Sequence, residues 1–169
     1  MTGRQPEIAM ITTMTDYFLA EKFESLLFMA VGGLSVAVAV WLWLNGHRLK
    51  AMAFPLVAIA LIQLVVGASV YFRTDAQLAQ LSQQSLTAPA EFKQAETSRM
   101  QVVMKNFTLY KWIEVILLVV GVLLIVSLQR HDVAVAIGGG LVLQSAFMLF
   151  LDLFAAARGQ DYMRALIAF

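Results

Sequence analysis

The sequence contains no cysteine, which excludes disulfide frameworks, thiolate metal sites and cysteine nucleophiles. Charge is also scarce: only 14% of the 169 residues are charged, against about 25% in a typical soluble domain. The 12 basic and 11 acidic residues nearly cancel, so the chain lacks the basic field that nucleic-acid binding requires. These shortages argue against an ordinary soluble enzyme and against a nucleic acid as partner.

Sequence patterns for catalysis or cofactor binding are missing as well. The run Gly138–Gly140 lies inside an apolar segment without a following Lys-Ser/Thr pair, so it is no phosphate loop. The only two histidines, His47 and His131, fall in short polar turns, where they make a weak case for a metal or haem site. We therefore expect no cofactor, no bound metal and no catalytic residue.

Long apolar runs dominate what is present, and 60% of the residues are hydrophobic. A helix needs about 20 apolar residues to cross the hydrocarbon core of a bilayer. Runs of about this length cover residues 25–44, 51–72, 112–128 and 133–154. They predict an all-α fold, an integral membrane four-helix bundle that forms a single domain over the whole chain.

The connection between the second and third spans, residues 73–111, is too helical for a loop. It contains one proline and no glycine and continues the apolar periodicity of both neighbouring spans. Thr87, Pro89 and Glu91 are typical of a helix start, with a capping hydroxyl, an early proline and an early acid. We expect helices two and three to extend out of the bilayer as a hairpin with its tip near residues 84–88.

Residues 11–23 and 155–169 fall on the same side of the membrane as this hairpin, because four spans separate them. Both segments are moderately apolar. They fit two arrangements equally well: packing against the hairpin, or lying flat on the membrane interface.

The distribution of lysine and arginine predicts the orientation in the membrane. The two short turns contain three of these residues and the opposite side contains nine, and the richer side normally faces the cytoplasm. We expect a multi-pass protein of a bacterial-type inner (plasma) membrane, with both ends of the chain and the hairpin in the cytoplasm.

The two halves of the sequence resemble each other. Residues 22–32 and 111–121 each begin with lysine, continue through an aromatic residue, a glutamate and an apolar run, and end at glycine. The second and fourth spans each carry one glutamine near the middle, Gln63 and Gln144. These features predict an internal repeat of a helical pair, related by an axis along the membrane normal.

Polar residues within the spans are the best indicators of function in a membrane protein. We expect Gln63 and Gln144 near the middle of the bilayer, pointing into the bundle. They fit either interhelical hydrogen bonds, worth on the order of 0.6–2 kcal/mol each, or a polar path.

Charged residues form a second candidate cluster at the membrane boundary on the hairpin side. Its members are Glu24, Arg73, Glu114 and Asp152. We expect Arg73 to pair with Glu114 or Asp152 in a structural ion-pair network, although the same carboxylates would also suit a proton or cation site.

Three classes of function therefore fit the sequence. The first is a non-catalytic binding, accessory or protective subunit, surrounded by lipid and contacting another membrane protein or a second copy of itself. The second is an oligomeric proton or cation pathway that uses the boundary carboxylates. The third and weakest is a membrane-embedded enzyme. A pathway predicts a wet polar groove at the level of the glutamines, whereas a binding protein predicts a dry bundle with apolar surface on the hairpin.

Overall fold

A computed structural model describes residues 4–45 and 48–169, with side chains described from residue 8 onwards. The fold is all-α, and its helices are α1 (Arg4–Leu44), α2 (Ala53–Thr87), α3 (Pro89–Ser127) and α4 (Asp132–Ala168), with a short 3₁₀ turn at Lys50–Met52. All four helices are long and apolar enough to cross a membrane, as in a multi-pass membrane protein. Gly46 and His47, in the first short turn, lie outside the described residues.

Each predicted span falls within one long helix, to within two residues at its ends. α3 contains 39 residues, which at 1.5 Å per residue gives a length of about 60 Å. Residues 11–23 and 155–168 continue α1 and α4 without a break. The sequence left two arrangements open for these segments. In the structure they pack against the other helices and lengthen the bundle.

The helices pack as two antiparallel pairs, α1 with α2 and α3 with α4, and α2 also contacts α4. Glycines bring each pair close together. A Cβ atom built on Gly67 would lie 2.8 Å from the Ser25 carbonyl oxygen, and one built on Gly138 would lie 2.6 Å from the Gly121 carbonyl oxygen. Only glycine allows such an approach without a shift of the backbone.

The end of the bundle nearest the α2–α3 turn has its own apolar core. We call this end the distal bundle, defined as residues 8–24, 73–87, 89–111 and 155–168. Side chains from all four helices pack in its core, including Met14, Phe18, Leu78, Leu81, Phe92, Met100, Tyr162 and Leu166. The predicted hairpin is therefore half of a larger unit, because α1 and α4 cover the apolar faces that α2 and α3 would otherwise expose.

The turn between α2 and α3 lies where the sequence predicts it, but its capping differs. α2 ends at Thr87 and α3 begins at Pro89, with only Ala88 between them. The Thr87 hydroxyl donates to the Gln83 carbonyl oxygen at 3.0 Å and does not cap α3. The prediction of a Thr87 cap is wrong because that residue still belongs to α2, so its side chain bonds back along its own helix.

An exposed ion pair joins the two short turns at the opposite end of the bundle. Arg48 donates two hydrogen bonds to the Asp132 carboxylate, at 2.7 and 3.2 Å. These hydrogen bonds raise the pKa of the Arg48 guanidinium. The pair links the α1–α2 turn to the α3–α4 turn across the end of the bundle.

Candidate functional site

The two glutamines meet in the middle of the bundle. Gln63 of α2 donates through Nε2 to the Oε1 atom of Gln144 on α4 at 3.1 Å. Gln144 in turn donates through Nε2 to the Ser35 hydroxyl of α1 at 2.6 Å. Both amides are fully buried, so the prediction that they point into the bundle is confirmed. We call these three residues the amide layer.

Ser35 is the member of the amide layer that sequence reasoning missed. In the sequence it belongs to a small-residue pattern with Ala39, which predicts close helix packing and not a hydrogen bond. The surroundings are tightly packed, since a Cβ atom built on Gly32 would lie only 3.3 Å from the Gln63 Cβ atom. Tight packing at this level favours interhelical hydrogen bonding over a water-filled path.

Substitution of Gln144 by leucine should destabilise the bundle by about 1–2 kcal/mol. The change removes both hydrogen bonds of the layer and leaves the buried Gln63 Nε2 atom and the Ser35 hydroxyl without these partners. Unfolding in mild detergent, compared with the exposed control Gln101→Leu, measures the effect. Equal stability of the Gln144→Leu variant and the parent would mean that the layer adds nothing.

Arg73 does not join the acids with which the sequence predicts it to pair. Its guanidinium lies 3.5 Å from Glu21 of α1, and its side chain is 56% exposed. The prediction of a bond to Glu114 or Asp152 is wrong because Arg73 is on the side of α2 that meets α1. The two acids lie instead where α3 packs on α4.

Glu24 also has a partner outside the predicted cluster. It forms an ion pair with Arg158, which joins α1 to α4. Both residues line a cavity of about 250 Å³ between these helices. The other lining residues are apolar, and they include Phe23, Leu27, Phe150, Leu151 and Phe154.

Glu114 and Asp152 are the two members of the predicted cluster that lie side by side. The Glu114 side chain is 2% exposed, and neither of its carboxylate oxygens has a hydrogen-bond partner within the described chain. Asp152 is half-buried. The Ser145 hydroxyl, two turns earlier on α4, is likewise buried and makes no hydrogen bond to a described residue.

The structure therefore divides the predicted charged cluster among three interfaces. Arg73 lies between α2 and α1, Glu24 between α1 and α4, and the two remaining acids between α3 and α4. Sequence periodicity places these residues at one end of the spans but does not determine which helices become neighbours.

Sequence analysis did not identify an ion pair in the distal bundle between the half-buried Arg99 and the buried Glu96. Arg99 donates two hydrogen bonds to Glu96, at 2.7 and 2.6 Å, and the Tyr162 hydroxyl donates to the same carboxylate at 3.0 Å. Tyr17 stacks on Tyr162 with a centroid distance of 4.7 Å, and Arg99 lies over the Phe18 ring. Glu96 is 1% exposed. The available signal was the three-residue spacing of Glu96 and Arg99 on one helix.

Within residues 8–45 and 48–169, no three or more histidine, cysteine, aspartate or glutamate side chains are grouped to hold a metal ion. Comparison of the chain with protein-family models, with curated proteins and with solved structures finds no match. A proposal for its function therefore depends on its own geometry.

Proposed function

We propose that this chain is a non-catalytic membrane subunit that binds another membrane protein along α3. One observation supports this most strongly: α3 carries an unpartnered apolar stripe at seven-residue spacing, which we call the α3 seam. Its members are Ala95, Val102, Leu109, Ile116 and Leu123, and all five are exposed. Along its most apolar stretch α3 is also the least buried of the four helices. Seven-residue spacing of apolar side chains is typical of a helix that packs against another helix.

The seam runs from the distal bundle into the predicted span. Outward positions of the distal bundle are otherwise mostly polar, and they include Gln80, Gln83, Gln94, Ser98, Gln101 and Lys105. Such groups find no hydrogen-bond partners in hydrocarbon, so we place the distal bundle outside the bilayer. Lipid would then cover the lower seam, whereas Val102, which is 59% exposed, would be covered by the protein partner.

The charge beside the seam favours a different protein over a second copy of this chain. Lys105 follows Val102 by three residues and lies on the same exposed side of α3. A second copy in the same membrane orientation would bring its own Lys105 opposite this one, at an electrostatic cost. The partner that fits best is a membrane helix with an acidic residue at that level.

Site-specific photo-crosslinking in native membranes tests this proposal. A photoreactive residue at Val102 should give one discrete protein adduct, and the same residue at Gln83 on α2 should give none. Substitution of Leu109 by lysine should abolish the Val102 adduct. An adduct of twice the chain mass would identify a second copy as partner, and crosslinks to lipid alone would contradict the proposal.

The orientation in an inner membrane belongs to the same proposal. With nine lysines and arginines on the distal side and three in the turns, the distal bundle should face the cytoplasm. In the cysteine-free parent, a Gln83→Cys variant should resist an impermeant thiol reagent in intact cells, whereas Gln129→Cys should react. The opposite labelling pattern would reverse the orientation.

We also infer that the chain arose by duplication of a helical pair. Each half packs as an antiparallel pair, and the aligned glycines both meet the second helix of their pair: a Cβ atom built on Gly32 would lie 3.1 Å from the Ala60 carbonyl oxygen, and one built on Gly121 would lie 2.8 Å from the Gly138 carbonyl oxygen. Gln63 and Gln144 bond to each other, which is what equivalent residues on a two-fold axis do. Both observations support the repeat.

An oligomeric proton or cation pathway is the second candidate. One observation favours it: the Glu114 carboxylate is buried without a hydrogen-bond partner in the described chain, and such residues often mark ion paths in membranes. The tight packing around the amide layer favours the binding subunit instead.

A further inference from the structure

The Glu114 carboxylate lacks the partners that a buried negative charge requires. An ionised carboxylate in a dry interior is strongly disfavoured unless it is paired or hydrogen-bonded. Arg73 bonds to Glu21, and Arg158 bonds to Glu24. The group beside Glu114 is instead a second carboxyl group, that of Asp152, which makes ionisation of both still less favourable.

We propose that Glu114 and Asp152 form a proton-binding site, in which the two carboxyl groups hold one proton between them. A shared proton reduces the charge of the pair from two to one and supplies the hydrogen-bond donor that the Glu114 carboxylate lacks. The site goes beyond the binding function proposed above and does not depend on the α3 seam having a partner.

A metal ion fits this position less well than a proton does. The oxygen ligands that the site shows are those of its two carboxyl groups. A calcium ion takes about 6–8 oxygen ligands, which exceeds what these side chains offer. A proton needs only one donor oxygen and one acceptor oxygen, and the pair provides both.

The cavity between α1 and α4 lies next to the position of Asp152 in α4. Leu151, next to Asp152 in the chain, lines it together with Glu24 and Arg158. Glu24 of α1 is the charged group outside the pair that acts on Asp152. Gln144 lies eight residues before Asp152 on α4, about 12 Å deeper.

Carbodiimide labelling tests the site directly, because dicyclohexylcarbodiimide reacts with protonated carboxyl groups in apolar surroundings. At neutral pH, mass spectrometry of the folded protein in mild detergent should find about one label per chain, located at Glu114 or Asp152. Glu114→Gln should also remove the label from Asp152, because the remaining carboxyl group has no second carboxyl group with which to share a proton, whereas the exposed-acid control Glu91→Gln should leave labelling unchanged. Sodium chloride and choline chloride at equal concentration should give the same labelling.

Two results would overturn the proposal. No label at either position, under conditions that label the detergent-unfolded chain, would mean that the pair holds no proton. Protection by sodium but not by choline would assign a cation to the site in place of the proton.

The pH dependence of stability gives a second measurement. Loss of the shared proton places a second charge between α3 and α4, so the parent should become less stable as pH rises through the neutral range. Glu114→Gln, which imitates the protonated acid, should remove most of this dependence, and Glu91→Gln should not. Equal pH dependence in the parent and in Glu114→Gln would contradict the shared proton.

Discussion

Substitution of Arg99 by alanine should be the most destabilising single change in the distal bundle, with a loss of about 3–5 kcal/mol. The change removes two hydrogen bonds from Glu96, which is 1% exposed and keeps only the Tyr162 hydroxyl as donor. It also removes the guanidinium from the Phe18 ring. Denaturant unfolding in mild detergent measures the loss.

The matched control is Arg164→Ala. Arg164 bonds to Asp161 with the same three-residue spacing, but both side chains are more than two-thirds exposed. Exposed pairs of this kind contribute little to stability. If the two variants lost the same small amount, the Glu96–Arg99 pair would behave as a surface ion pair, and the buried position described here would be wrong.

Gly138→Ala should produce the second large effect, a loss of about 1–3 kcal/mol from overpacking. The new Cβ atom would lie 2.6 Å from the backbone oxygen of Gly121. Since neither backbone can give way as a flexible side chain would, α3 and α4 have to separate. Thermal unfolding in detergent, or resistance of the helix pair to dissociation, reports the change.

Gly33→Ala provides the control for this prediction. Gly33 lies in another helix, and a Cβ atom built on it would have no contact within 4 Å. Alanine has the higher helix propensity, so Gly33→Ala should leave stability unchanged or slightly raised. Equal losses at positions 33 and 138 would rule out close contact of α3 and α4 as the cause.

Much of the fold could be predicted from the sequence because long apolar runs are a strong and local signal. Residues 25–44 and 133–154 needed only their hydropathy to be identified as spans, and Pro89 indicated the start of α3. The packing of α1 and α4 against the distal parts of α2 and α3 was harder to predict from the sequence. Residues 11–23 are only moderately apolar, a pattern that also fits a helix lying on the membrane interface.

The polar contacts were predicted only in part, for a physical reason. Burial of Gln63 followed from the cost of exposing an amide to lipid, but its partner depended on how each helix is rotated. For the same reason the sequence predicted that Arg73 pairs with Glu114 or Asp152, whereas in the structure α2 packs on α1 and Arg73 pairs with Glu21. Rotation depends on close contacts such as that between Gly121 and Gly138, which only the assembled bundle determines.

Ion flux through liposomes tests most directly the central claim, that the bundle is closed at the amide layer and acts by binding. The purified chain should give no proton or cation flux above that of protein-free vesicles, in the parent and in Glu114→Gln alike. A flux in the parent that is lost in a stably folded Glu114→Gln variant would contradict the account and establish the pathway.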